Sequence, residues 1–346
     1  MAMKDYQVLK PKAIQTLQMD YDSIVYDVYL DKLRNFSKEE AVEQTRAFCL
    51  IMRSHNIEDQ IACLEFLYMN DFIEDVVQVL NSGVLNDDVK LLYRMTMERL
   101  GSSYEQSLHW LKSLHFSHPS LHCLHQAIMA YRYFDMNMYQ GLDGYIESYD
   151  QALQQVNEPL ALYFFERRYH ELLFHYYWKS NHILLARRYA YKLINKELSP
   201  RKKTTILHYL TLTYAFESYE VAMGHAYEAL HYAEEHNQVK QIPSLKHRTI
   251  PFIAALHRQT ADVTTPDFVE TAHLAIADGR YEEGAAMLQS FEDLTPFQEC
   301  YLGFALRDEK MIYNSERRFI DERGDRFFAQ LSHEYRRRLK GDEFFV

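Results

Sequence analysis

Residues 209–235, YLTLTYAFESYEVAMGHAYEALHYAEE, decide the fold. Read as a helical hairpin, the second half puts Tyr219, Ala222, Met223, Ala226, Leu230 and Ala233 at offsets 0, 3, 4, 7, 11 and 14. That is one stripe of a 3.6-residue period, with Glu220, Glu228, Glu234 and Glu235 mostly off it. Alanines at 222, 226 and 233 allow another helix to approach closely. A lone hairpin cannot bury this face in water, so the stretch predicts further hairpins stacked on either side.

Working outward, an aromatic or β-branched residue at an expected helix start recurs at Phe72, Tyr104, Tyr139, Ile183, Tyr219, Tyr281 and Tyr313. The separations are 32, 35, 44, 36, 62 and 32 residues, the longest leaving room for a degenerate hairpin at 245–259. Gly279-Arg-Tyr281-Glu-Glu-Gly284-Ala285 and Ser218-Tyr219-Glu-Val-Ala222 carry a tetratricopeptide-like (TPR-like) spacing, and Asn181-His-Ile183-Leu-Leu-Ala186 is a looser copy. The reading is an all-α solenoid of TPR-like helical hairpins forming a right-handed superhelix. Breakers fall between the hairpins, including Pro119, Pro159, Pro200, Pro243, Pro266 and Pro296, and proline is tolerated at a first helical position. Ser37-Lys-Glu-Glu40 reads as a capping box. The expected layout is an N-terminal segment at 1–21, early and middle repeats at 22–258, a polar joint at 259–266, and late repeats with a tail at 267–346.

Composition agrees. With 10 Gly and 8 Pro in 346 residues, turn-rich β folds and glycine-rich nucleotide loops are poorly supplied. The 27 Tyr and 20 Phe serve mostly as wedges between helices. A net charge of −11 argues against a nonspecific grip on nucleic acid or an anionic membrane. No run of apolar residues is long enough to span a bilayer, and the start MAMKDYQVLKPK lacks a signal-peptide core, so a soluble intracellular protein is expected. Cys49, Cys63, Cys123 and Cys300 lie far apart and read as buried thiols.

Chemistry-bearing residues are few. His109, His115, His118, His122 and His125 are split by the helix expected at Pro119, which favours interhelical histidines over a metal centre. Carboxylate pairs such as Glu39-Glu40 and Glu282-Glu283 fall on helix starts and solvent faces, and no nucleophile elbow or phosphate loop occurs, so neither an enzyme nor a cofactor is expected. Arg201, Lys202 and Lys203 open a helix, where positive charge opposes the dipole, and of the basic runs they best suit a carboxylate ligand. Asp325, after Gly324, either caps the next helix or faces a groove and meets a cation. Phe344, Phe345 and Val346 make an apolar chain end that packs on its own last hairpin or on a second subunit.

Several blocks resemble the peptide receptors of the phage arbitrium system, the AimR family. The likeness lies in Asp22-Ser-Ile-Val25, Tyr209-Leu-Thr211, Ser218-Tyr219-Glu220 with Ala222, Ala272-His273, Tyr301-Leu302, Tyr313, Ser315 and Gly324-Asp325-Arg326-Phe327. The resemblance implies a cytoplasmic receptor that binds a short peptide, about six residues with a basic side chain, inside its repeats and so controls lysis versus lysogeny. It implies that Asp325 with Phe327 contacts that side chain and that Arg201, or Lys203, supplies the middle-repeat cation. Family groove asparagines fall near His175, Lys179 and Tyr214. It further implies a homodimer joined through the tail, at Phe344, Phe345 and Val346. The family's helix-turn-helix precedes its repeats, and residues 1–21 are too short for one, so DNA binding is expected only of a longer form. The alternative is a Rap-like or scaffold adaptor that holds a partner protein without a peptide.

Overall fold

In the computed structural model, which describes residues 23–97, 104–196 and 198–341, the chain passes from helix to helix by a repeated device. Asp71, Asn181, Asn237, Arg258, Gly279 and Arg307 all take positive φ. The next amide then bonds back to a carbonyl in the last turn: Phe72 to Leu67, His182 to Tyr177, Gln238 to Ala233, Gln259 to Ala254, Arg280 to Ala275, and Asp308 to Gly303. This closure satisfies carbonyls that the helix end would leave bare, and it turns the chain back on itself.

Among the described residues every regular element is a helix. The fold is an all-α array of TPR-like hairpins in two compact units, the first comprising Met1–Asn137 and Gly141–Leu172, the second Met138–Gln140 and Leu173–Val346. In the first unit, α1 (Ile24–Asn35) pairs with α2 (Lys38–Ile51) and α3 (Ile57–Met69) with α4 (Ile73–Leu80). After α5 (Asp87–Met97) and α6 (Tyr104–Ser113), α7 (Pro119–Asp135) pairs with α8 (Asp143–Leu153). The Ser37 box is formed, its hydroxyl taking the Glu40 amide while the Glu40 carboxylate takes the Ser37 amide. α9 (Pro159–Lys179) begins in the first unit and ends in the second.

The centre of the first unit holds charge. Arg168 donates from Nε to Glu65 at 3.1 Å and from Nη2 at 2.8 Å, and both side chains are fully buried. Tyr93 donates its hydroxyl to the same carboxylate at 2.9 Å, while the rings of Tyr68 and Tyr131 flank the guanidinium. A buried pair needs further bonds to its remaining lone pairs and protons, and Tyr93 gives one to Glu65, whereas Nη1 of Arg168 has no hydrogen-bond partner.

The second unit continues with α10 (Ile183–Ile194), α11 (Pro200–Leu212), α12 (Tyr219–Glu235), α13 (Ile242–Ser244) and α14 (Ile250–Leu256). It closes with α15 (Phe268–Ala277), α16 (Tyr281–Leu288), α17 (Pro296–Ala305), α18 (Glu309–Arg317) and α19 (Ala329–Leu339). The stripe on α12 packs through its small residues: Ala222, Ala226 and Ala233 have no exposed surface. Ala229 and Ala233 form a cluster with Leu207 and Leu245, against which the partly buried Leu230 packs. Gly284 lets α16 lie close on α15, where a Cβ would overlap Ile276.

Three expected helix starts differ. Residues 245–259 form no hairpin; α13 runs into α14 through a π turn, Leu245–Thr249. Pro251 has no N–H to give the carbonyl four residues back, and the His247 carbonyl instead accepts the Thr265 hydroxyl at 2.6 Å. That bond, with Thr271 donating to the Thr265 carbonyl at 3.1 Å, pins the 259–266 interval inside the second unit. Tyr139 opens a 3-10 turn, Tyr139–Gly141. Tyr313 sits within α18, because Asp308 caps the Lys310 and Met311 amides and starts the helix earlier.

Removing one member of the central pair strands the other. Glu65→Gln is expected to cost ~3–5 kcal/mol in urea unfolding, whereas the triple change E65L/R168M/Y93F, which deletes all three polar partners, recovers most of it.

Candidate functional site

Gly324 has φ +69°, and a Cβ there would lie 2.5 Å from the Gln140 amide nitrogen. Only glycine fits this close approach at this φ. The crossing is stitched by Tyr139 N–H to the Arg323 carbonyl at 2.6 Å and Gln140 Nε2 to the Glu322 carbonyl at 3.1 Å. Upstream, a π turn, Arg318–Glu322, follows α18. The Asp325 amide then donates to the Phe319 carbonyl at 2.7 Å, and the Arg326 amide to the Lys179 carbonyl at 2.9 Å, fixing the turn against the end of α9.

Both oxygens of Asp325 are engaged. Oδ1 accepts the Phe328 amide at 3.0 Å, and Oδ2 accepts Lys179 Nζ at 2.8 Å. The two side chains are 3% and 5% exposed. Around the ammonium stand Trp178 at 3.9 Å, Tyr139 at 4.4 Å and Phe328 at 4.7 Å to the ring centroids. Burial pulls the Lys179 ammonium below its usual pKa, against the opposing effect of Asp325. Asp325 therefore holds the turn ahead of α19 and does not cap the helix itself, whose N-cap is Phe328, and the cation it meets is this chain's own Lys179.

Phe327 points inward, with ring contacts to Phe216 at 5.2 Å and Trp178 at 6.0 Å. His175 is buried and meets Tyr209 edge-on at 5.3 Å, and Tyr209 in turn touches Trp178. His175, Lys179, Asp325 and Phe327 thus belong to one ring-linked cluster. Tyr214 belongs to another: Arg187 lies 3.5 Å over its ring, His225 stacks on it at 4.2 Å, and its hydroxyl bonds Tyr191 at 3.1 Å. Burial and that bond push the Tyr214 phenol up to about 12. Arg201 is half-buried at the start of α11, and Lys203 reaches over the Tyr232 ring at 4.6 Å. Phe344, Phe345 and Val346 lie outside the described residues.

Sequence reasoning missed an aromatic cavity of about 210 Å³ lined by Leu212, Arg248, Thr249, Phe252, Glu270, Phe297, Tyr301 and Phe328. Phe328 is shared between this cavity and the aromatic setting of Lys179. Glu270 sits in the first turn of α15, where an acid is ordinary, and nothing in the sequence marks it. Among the described residues no three metal-ligating side chains converge, and no helix is long and apolar enough to cross a membrane. His125 is buried, with a ring nitrogen 2.9 Å from the Leu111 carbonyl.

The second unit of this hairpin array thus carries an open cavity with aromatic walls. The chain belongs to the AimR transcriptional regulator-like family, whose sequence profile matches residues 42–334. It is 23% identical over 219 residues to the uncharacterized protein pXO2-35 of Bacillus anthracis, covering 60% of this chain and 81% of that one. It shares its fold with the solved structure of phAimR with ligand, at TM-score 0.72 and 15% identity, covering 93% of this chain and 98% of that one. The selenomethionine form of phAimR matches at TM-score 0.60 and 15% identity, covering 94% and 87%.

Two glycines test the turn. Gly83 also has positive φ, +78°, but a Cβ there would meet nothing within 4 Å. Gly83→Ala is expected to cost only backbone strain, ~1–2 kcal/mol, and Gly324→Ala clearly more, because Gln140 must also move; melting temperatures of the two variants measure the difference.

Proposed function

We propose that the chain is an intracellular receptor for a short signalling peptide, which it binds within the second unit to change the population of its conformations. The observation that carries this reading is the open aromatic cavity of about 210 Å³, in a family described as AimR transcriptional regulator-like. One solved structure that shares the fold, phAimR, holds a ligand, which supports the same reading.

The coupling follows from Phe328. A side chain entering the cavity presses on Phe328, whose amide is held by Asp325 and whose ring touches Lys179. The state of the Gly324–Asp325 turn and the occupancy of the cavity then bias each other, as any ligand biases the state it fits better. In this reading His175, Lys179, Asp325 and Phe327 shape the wall from behind, while the half-buried Arg201, Lys203 and Tyr214 offer contacts to the peptide. A peptide of about six residues, a homodimer joined through Phe344, Phe345 and Val346, a cytoplasmic setting, and control of phage lysis versus lysogeny belong to the same proposal.

Calorimetry of the full chain against mixtures of five- to seven-residue peptides tests it. At least one mixture should bind with a negative heat-capacity change and raise the melting temperature, by the equivalent of about 2.7 kcal/mol at a hundredfold excess over Kd. Absence of binding by every mixture, together with stable co-purification of a protein partner, would favour the adaptor reading instead.

A further inference from the structure

The basic side chain expected of the peptide has no place at Asp325. One carboxylate oxygen accepts the Phe328 amide and the other is bonded to Lys179, and both side chains are buried. Resting on the receptor reading, we propose that an arginine or lysine of the peptide is read by Glu270 and Tyr301, with its aliphatic stem lying against Phe252, Phe297 and Phe328.

Several independent observations fit. The cavity, at about 210 Å³, exceeds the ~150 Å³ void known to admit benzene in another protein, so it takes a long side chain. Its aromatic walls suit both a methylene stem and a cation over a ring face. The Tyr301 hydroxyl is fully buried and has no hydrogen-bond partner, so an apolar guest would leave it unsatisfied while an ammonium or guanidinium would donate to it. The Glu270 side chain is 13% exposed, and one of its oxygens lies 3.3 Å from His273 Nδ1. Arg248, the cation among the lining residues, is 70% exposed and already paired with Asp267 at 3.2 Å, so it offsets the Glu270 charge only in part.

The charges facing Glu270 can be taken element by element. On its own helix or at its cap are Asp267 and His273; from the preceding π turn comes Arg248; α17 contributes Tyr301. Tyr335 of α19 bonds His273 Nε2, and burial, helped by Arg338 of the same helix, holds that imidazole well below its usual pKa. His273 therefore stays neutral across the physiological range. Burial first, and Asp267 second, push the Glu270 carboxyl up to about 8. A bound cation favours the carboxylate, so Glu270 releases a proton on binding. Affinity for a cationic peptide should then rise by up to tenfold per pH unit below about 8 and level off above it.

The test uses hexapeptide mixtures fixed in turn, at each position, as arginine, lysine, citrulline or norleucine, titrated into the full chain. At one position the arginine or lysine mixture should bind at least tenfold more tightly than citrulline, its neutral counterpart. Glu270→Gln should abolish that preference, whereas Glu282→Gln, on the exposed face of α16, should keep it. Should Glu270→Gln fail to fold, wild-type titrations at pH 6, 7, 8 and 9 decide: the cation preference must grow up to about pH 8 with measurable proton release. Binding with no cation preference, a preference that survives Glu270→Gln, or one independent of pH overturns this inference and leaves the receptor reading standing. Binding by no mixture overturns both.

Discussion

A lysine and an aspartate taken out of water together govern the C-terminal part of this molecule. Two charges at 2.8 Å in a nearly dry setting attract strongly, but each has also lost its hydration, so the pair is stable only with further support. Here the support is specific. The Phe328 amide holds the second oxygen of Asp325, and three rings surround the ammonium. Because the bond joins residues 146 positions apart, the last turn of α9, the Gly324 crossing and the start of the closing helices must all be placed together. A displacement of any one strands a buried charge.

The aromatic side chains make this constraint felt elsewhere. Trp178 touches Tyr209, Phe327 and Phe328, and Phe328 meets Phe252 and Phe297, so the ion pair and the cavity share walls. Close-packed rings do not deform smoothly; they change between arrangements, which is what a ligand-responsive element requires. In this member of the AimR transcriptional regulator-like family, Asp325 is paired within the chain.

The hairpin array was legible because its registers follow from local geometry. Phe72, Ile183 and Tyr281 come one or two positions after residues in the left-handed conformation, at Asp71, Asn181 and Gly279, so a helix end and the next helix start are written side by side. Tyr313 misled because Asp308, a better cap, lies upstream of it, and residues 245–259 misled because the 62-residue gap left room for a hairpin where the chain instead runs on through a π turn into α14. In the site, the burial of Asp325 and Phe327 beside a glycine could be anticipated, but the identity of the partner could not. Lys179 closes a tyrosine-rich helix and carries no local sign that it turns inward. Glu270 and Tyr301 were hidden for a similar reason: spacing places each on a helix, whereas the void between them exists only after Phe252, Phe297 and Phe328 have packed.

The Glu65–Arg168 contact bears on how the first unit is born. Its two halves lie 103 residues apart, so at ordinary rates of translation roughly 5–20 s pass between their emergence from the ribosome. During that interval the nascent segment carries a carboxylate that α3 would bury but nothing yet neutralises. The interior of the first unit around α3 is therefore completed only when α9 arrives with the arginine.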